Sequence, residues 1–435
     1  MSAFPKYERY KDSGIEWLGE LPEHWELSRS RRVFVQRKEL ARFGDSQLSA
    51  TQAYGVIPQA DYEERIGRNV VKISMHLEKR KHVEPDDFVI SMRSFQGGLE
   101  RAWARGCIRS SYTILQPLVK VAPSYFAYLF KSPQYIASLQ TTGNFIRDGQ
   151  DLTYENFVLI DLPIPPIKEQ ERIGAFLDQK TAEIDSLIAK KQRQIELLDE
   201  QKAILINRAV TRGLNPNAKL KPSGIEWISE IPEHWEVSSI RRQASFVTSG
   251  SRGWAQYSSP TGPLFLRICN LSRGSLELRL EDIERVLPPR DSEGERTKVT
   301  SGDVLISITA FIGSICVVPD GFEEAYVSQH IALVRIKPSG THPRWIGYAL
   351  LSELGAIQSR LMMYGGTKVG LSLGDVKNYC FPVPPQNEEE EILEHIAAVF
   401  SGYMRGVSQF DKEIQSLKAL RSTLIAHAVT GRIKV

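Results

Sequence analysis

Residues Ser13 to Arg32 read SGIEWLGELPEHWELSRSRR, and residues Ser223 to Arg242 read SGIEWISEIPEHWEVSSIRR, with 14 of the 20 positions identical at an offset of 210. Pro163-Ile-Pro-Pro with Glu169, Glu171 and Ile173 returns as Pro382-Val-Pro-Pro with Glu388, Glu390 and Ile392, at an offset of 219. Ala209-Val210-Thr211 returns as Ala428-Val429-Thr430. One unit is written twice, and a duplicated frame limits the fold before any other feature does.

The edges of each copy agree and the middles diverge. Between about residues 26 and 162, and 236 and 381, only fragments match, such as Val89-Ile90-Ser91 with Leu305-Ile306-Ser307, followed by Phe95/Phe311 and Gly97/Gly313. The middles carry β-rich runs at 70–75, 87–92 and 111–116, and at 264–270, 303–309, 314–318 and 331–336. Helix-like stretches follow at 124–139 and 343–361, then glycine-marked loops at 142–150 and 364–370. This predicts an α+β chain with two middles of mixed α/β character.

After each Pro-Pro box the pattern is helical. Residues 168–212 contain no proline, and Leu177, Ile184, Lys191, Leu198 and Leu205 recur every seven residues, with Ile173, Leu187, Ile188 and Ile195 between them. The second copy runs Ile396, Tyr403, Phe410, Leu417 and Leu424, with Ile392, Val399, Val407, Ile414 and Leu420 between. Sustained heptads with charged outer faces predict coiled-coil helices, each a rod of about 60 Å at 1.5 Å per residue. The two seams are expected to pack on each other within one chain. Gly402 and Gly406 are expected to loosen the second rod. The boundaries are therefore 1–25 (entry segment), 26–162, 163–213 (helix), 214–235 (entry segment repeated), 236–381 and 382–435 (helix). Residues 1–25 copy the segment that follows the first helix, so they are expected beside the end of the second.

No apolar run approaches the ~20 residues a membrane span needs, and the N-terminus lacks a signal-peptide pattern. The four cysteines form no CxxC pair, which fits reduced thiols in a cytosol and no metal site. No phosphate-binding or dinucleotide-binding glycine motif occurs, nor an Asn/Asp-Pro-Pro-Tyr/Phe. His24 and His234, inside the repeated Pro-Glu-His-Trp, read as packing or capping residues. No catalytic residue is assigned.

A net charge of +3 says little globally, but basic residues cluster. Arg93, Arg101, Arg105 and Arg109 fall within 17 residues that hold one acid, with Phe95 and Trp103 interleaved. Arginine suits phosphate and guanine edges, and Gln96 and Gln150 suit adenine. Arg147 lies on the first glycine loop. In the second middle Arg267, Asn270, Arg273 and Arg279 are the counterpart, with Thr309, Lys368 and Ser372 on adjoining loops. Nucleic acid is the favoured partner of these clusters.

The doubled order of GIEWLGELPEHWE/GIEWISEIPEHWE, a variable region, a Pro-Pro box with Glu169 or Glu388, and a long helix ending Ala-Val-Thr resembles the specificity subunits of type I restriction-modification systems, over essentially the whole chain. The resemblance implies two target-recognition domains (26–162 and 236–381), joined by two long antiparallel helices in a pseudo-two-fold, circular arrangement. It implies an asymmetric bipartite site in double-stranded DNA. It also implies two methyltransferase subunits, restriction/translocase subunits and a prokaryotic cytoplasm. S-adenosylmethionine, ATP and Mg²⁺ are expected on those partners and none on this chain. The second box departs from the first, with Gln386-Asn387-Glu388-Glu389 in place of Ile167-Lys168-Glu169-Gln170. An autonomous DNA-modifying enzyme and a coiled-coil protein adaptor stay open as alternatives.

Overall fold

The computed structural model describes residues 4–70, 79–143, 152–250, 252–288, 292–363 and 370–435. Most of the strand expected at 70–75, and Arg147, Gln150 and Lys368, lie outside the described residues. The chain divides into two units, residues 1–192 with 411–435, and residues 193–410.

Unit 1 is built on a four-stranded antiparallel sheet in the spatial order Phe34–Arg37, Thr113–Pro117, Phe88–Ile90, Glu100–Arg101. Residues Glu26–Arg29 pair with Asp161–Ile164, so the start and end of the middle meet in one ladder. Hairpins Tyr10–Asp12/Glu20–Pro22 and Leu48–Thr51/Gly55–Pro58 flank this frame. Unit 2 has the order Ala244–Ser249, Ile331–Ile336, Val304–Ser307, Ile315–Val317, with Glu236–Ser239 on Cys380–Val383 and Leu220–Pro222 on Glu230–Pro232. These sheets are antiparallel, so the α/β character expected of the middles is corrected. Among the described strand pairs, only Leu264–Leu266 with Ala325–Val327 runs parallel. Neighbours such as Phe34–Arg37 with Thr113–Pro117, and Ala244–Ser249 with Ile331–Ile336, lie far apart in sequence, so tertiary closure and not hairpin turns brings these antiparallel pairs together.

The helical stretches are also corrected. The stretch at 124–139 is two helices, Pro123–Leu129 and Pro133–Thr141, because Pro133 cannot continue a helix but starts one well, with Ser132 as its N-cap. The stretch at 343–361 likewise breaks at Ser352, between Pro343–Leu351 and Glu353–Met362.

The cores differ in chemistry on these frames. In unit 1, Phe34 lies 5.0–6.1 Å, centroid to centroid, from Phe88, Phe126, Phe130 and Phe157. In unit 2, Val304, Ile346, Leu350 and Val376 fill the corresponding core with aliphatic volume. A second small cluster in unit 1 holds Leu48, Val56, Val89, Ile108 and Ile114.

Two long helices span Ile167–Arg212 and Gln386–Val429. Within unit 1, Ile173, Leu177 and Ile184 share a core with Leu424, Ala428 and Val429. There Lys191 pairs with Glu413 at 2.7 Å and Arg421 with Asp185 at 3.0 Å. Rising numbers on one helix meet falling numbers on the other, so these segments are antiparallel. Within unit 2, the Lys202 ammonium lies 4.0 Å from the Tyr403 ring centroid. The seam differs from expectation in detail: Leu187 faces solvent, and Ile206 is more buried than Leu205. Gly406 also has a packing role, since a Cβ there would lie 2.9 Å from Leu198 Cδ1.

Residues 5–25 pack against the end of the second long helix. Lys434 N donates to Pro5 O at 2.7 Å, and Tyr10 Oη donates to Gly431 O at 3.2 Å. Gly431 has φ +71°, and a Cβ there would meet Pro22 and Trp25, so only glycine admits this closure.

Candidate nucleic-acid interface

The repeated Pro-Glu-His-Trp boxes are anchors. In unit 1, Glu169 sits in the first turn of its long helix, 5% exposed. Trp25 Nε1 donates to it at 3.1 Å, His24 Nε2 meets it at 2.9 Å, and Tyr7 Oη also donates. Burial pushes the Glu169 carboxyl up, but the hydrogen bonds from Tyr7, His24 and Trp25 outweigh it and hold the group below its ordinary range. A carboxylate at a helix N-terminus also meets the positive end of the helix dipole. In unit 2, Trp235 Nε1 donates to Glu388 at 3.0 Å and His234 Nε2 meets it at 2.7 Å. Asn217 stands where copy one has Tyr7. Each histidine is thus tied to a structural carboxylate, which explains why these edge residues recur while the middles drift.

The structure sorts the arginines of the first middle by what they already hold. Arg101 pairs with Asp86 at 2.6 Å and lies 4.2 Å over the Trp103 ring. Arg105 is exposed and lies 3.8 Å from Glu84. Arg93 and Arg109 are exposed, have no ion pair among the described residues, and line one cleft of about 970 Å³. Gln96 is exposed beside them on the turn at 94–97. The cleft brings in Gln52, Tyr54, Gln59 and Tyr62, which sequence reasoning missed. Arg65 stacks 4.9 Å over Tyr54. The available signal was the Gln52-Ala53-Tyr54-Gly55 turn between two short strands.

In unit 2 the assignments divide further. Asn270 is 2% exposed; its amide donates to Arg279 O and Asp282 O and its carbonyl accepts from Arg267 N. Every part of that side chain is used inside the fold, so Asn270 is corrected to a structural residue. Arg267 is paired with Asp282 at 3.0 Å and Glu284 at 3.2 Å. Ser372 is the N-cap of Leu373–Asn378 in a reciprocal box with Asp375. Arg273 stays exposed, 5.0 Å over the ring of Phe311, itself 57% exposed. Thr309 bonds His330 at 3.0 Å, and Leu371 N donates to Ile308 O, so Arg273, Thr309 and Ser372 gather around the loop at 308–313. Phe311 and His330 were the residues missed here. Among the described residues, no group of three or more His, Cys, Asp or Glu is placed to hold a metal ion. None of the described helices is long and apolar enough to cross a membrane.

Cations and aromatics on loops, carried by antiparallel sheets, define a surface suited to a polyanion. Residues 293–409 match the family described as the type I restriction modification DNA specificity domain. The type I restriction enzyme MjaVIII specificity subunit of Methanocaldococcus jannaschii is 22% identical, over 99% of this chain and 97% of that protein. The EcoKI specificity subunit of Escherichia coli K12 is 24% identical, over 85% and 78%. A chain from a study of assembly and conformational transition in the type I R-M system superposes with a TM-score of 0.66 at 15% identity, covering 94% of this chain and 98% of that one. The HsdS subunit from Thermoanaerobacter tengcongensis superposes at 0.50 and 16% identity, covering 94% and 98%. Over almost its whole length the chain is thus similar to proteins named as specificity subunits of type I restriction enzymes, and it shares their fold.

Proposed function

We propose that this chain is the DNA-recognition subunit of a type I restriction-modification complex, and that it reads an asymmetric two-part site in double-stranded DNA. One observation carries the reading. The chain is similar almost end to end to a type I specificity subunit, and its two units share one strand order while exposing different cations: Arg93 and Arg109 in one, Arg273 in the other. A small domain reads only a few base pairs from a groove. Two unlike domains therefore read two unlike half-sites.

Residues 26–162 and 236–381 are the two target-recognition domains, and 163–213 and 382–435 are the spacer helices. The antiparallel pairings inside each unit support an intramolecular coiled coil. The matched Trp–Glu anchors and the closure of residues 5–25 on the second helix support a pseudo-two-fold, circular plan. A stiff spacer admits half-sites at one separation and leaves the intervening bases unread. Phosphate contacts supply most of the affinity and make it salt-dependent. The role is recognition and not catalysis. Two methyltransferase subunits bring S-adenosylmethionine, and restriction/translocase subunits bring ATP and Mg²⁺ chemistry, in a prokaryotic cytoplasm.

The test is selection from a random duplex library by the chain with its methyltransferase subunits. The expected product is a motif of two different blocks separated by a fixed gap. Replacing residues 236–381 by the corresponding domain of another specificity subunit is expected to change one block and leave the other block and the gap. A single uninterrupted motif, or none, refutes the proposal.

A further inference from the structure

The cleft of unit 1 holds a feature that the function above does not assign. Arg93 has a fixed main chain and a side chain with no ion pair among the described residues. Its carbonyl accepts from Gln96 N at 3.0 Å, Gly97 N at 3.1 Å and Gln52 Nε2 at 3.4 Å. Its N–H donates to Ser91 Oγ at 3.3 Å. Gly97 makes the Gln52 contact possible, because a Cβ there would lie 2.4 Å from Gln52 Nε2. Gln52 is itself pinned: its main-chain carbonyl accepts from Lys131 Nζ at 2.8 Å, and that ammonium pairs with the buried Glu100 at 2.7 Å. The tip of the 48–58 hairpin is thus tied to the turn that carries Arg93.

All of that order stops at the guanidinium. Among the described residues it has no acid partner, whereas Arg101, eight residues on, is held by Asp86. An arginine that only attracts a polyanion needs no fixed backbone. One that must place two donors on two acceptors does, since a bidentate pair tolerates little displacement. Building the order beforehand also lowers the entropy lost on binding.

Resting on the DNA-reading function proposed above, we infer that Arg93 is a base-reading residue that specifies a guanine, through O6 and N7 in the major groove, in the half-site of unit 1, and that Gln52 is its positioning residue. The bidentate arginine–guanine pair is the chemistry that matches a rigidly based, unpaired guanidinium.

The experiment is library selection and a salt series with the full chain and its methyltransferase subunits, comparing wild type with Arg93→Ala, Gln52→Ala and Arg101→Ala. Arg93 is exposed, so its removal leaves the core intact, and equal melting temperatures verify this. The expected result for Arg93→Ala is loss of one guanine preference in one half-site, by roughly 5- to 150-fold, with the other half-site and the salt slope unchanged. Gln52→Ala weakens the same position by less, and Arg101→Ala leaves the motif as it was. Uniform weakening on all sequences with a salt slope lower by about one marks a phosphate contact and overturns the assignment. An unchanged motif overturns it too. A wild-type complex that selects no two-part motif instead refutes the function on which the assignment rests.

Discussion

Glu389→Gln tests how the repeat is built at the second helix start. Its counterpart in unit 1, Gln170, is buried and uses both ends: its carbonyl accepts from Ala122 N at 2.9 Å and its amide donates to Pro165 O at 2.8 Å. Glu389 is 6% exposed and accepts from His342 N at 2.7 Å, the matching contact. A carboxylate has nothing to donate to the carbonyl of Pro384. Burial pushes the Glu389 carboxyl up from 4.5 to about 7, the bond from His342 N opposes this, and the charge of Glu390 adds to it. The folded state therefore binds the proton more tightly than the unfolded chain does. Its stabilisation is fully present below about pH 4.5 and is lost as pH rises through about 7. The whole shift corresponds to about 3 kcal/mol, which relaxation of the surroundings around the buried charge reduces to about 1–2 kcal/mol. Glutamine keeps the acceptor, restores the donor and does not titrate. Thermal unfolding of both full chains at pH 5.5 and 8 is the assay. The variant is expected to melt about 2–6 °C higher at pH 8, with the difference shrinking at pH 5.5. His342, whose imidazole burial and Arg344 hold down, is common to both proteins, so the comparison isolates Glu389. Equal pH dependence of the two chains, or a less stable variant at pH 8, refutes the reasoning.

Trp25→Phe keeps an aromatic ring and removes the indole donor to Glu169; a loss of about 1.5–3 kcal/mol is expected in urea titration. Gly402 has open space where a Cβ would go, so Gly402→Ala should stabilise by up to about 1 kcal/mol. Gly406→Leu, in the same helix as Gly402 but pressing on Leu198 of the first long helix, should cost about 1–3 kcal/mol; melting curves of the pair must move in opposite directions. Arg37 holds the buried Asp87 at 2.7 and 3.0 Å, so Arg37→Met strands a carboxylate and should cost about 3–5 kcal/mol in equilibrium unfolding.

The long helices were legible in sequence because a heptad is a local, periodic signal; they begin at Ile167 and Gln386, directly after the Pro-Pro pairs and four residues inside the segments expected from 163 and 382. The strands were less legible. Residues 331–336 match their strand end for end, but Phe34–Arg37 and the 48–58 hairpin were missed, since short half-exposed strands carry little periodicity. Helix breaks at Ser132 and Ser352 were passed over because an apolar pattern continues across them.

The duplication, the α+β class and the two heptad seams were written in the order of residues alone, because each is a pattern of neighbours. The partners were not. His24 and Glu169 are 145 residues apart, and no local rule pairs them. Nor does composition tell Arg93 from Arg101, or expose Asn270 as an internal clasp. Whether an arginine is held by an acid, as Arg101 is by Asp86, or lines a cleft, as Arg93 does, depends on which distant loops the packed sheets bring alongside.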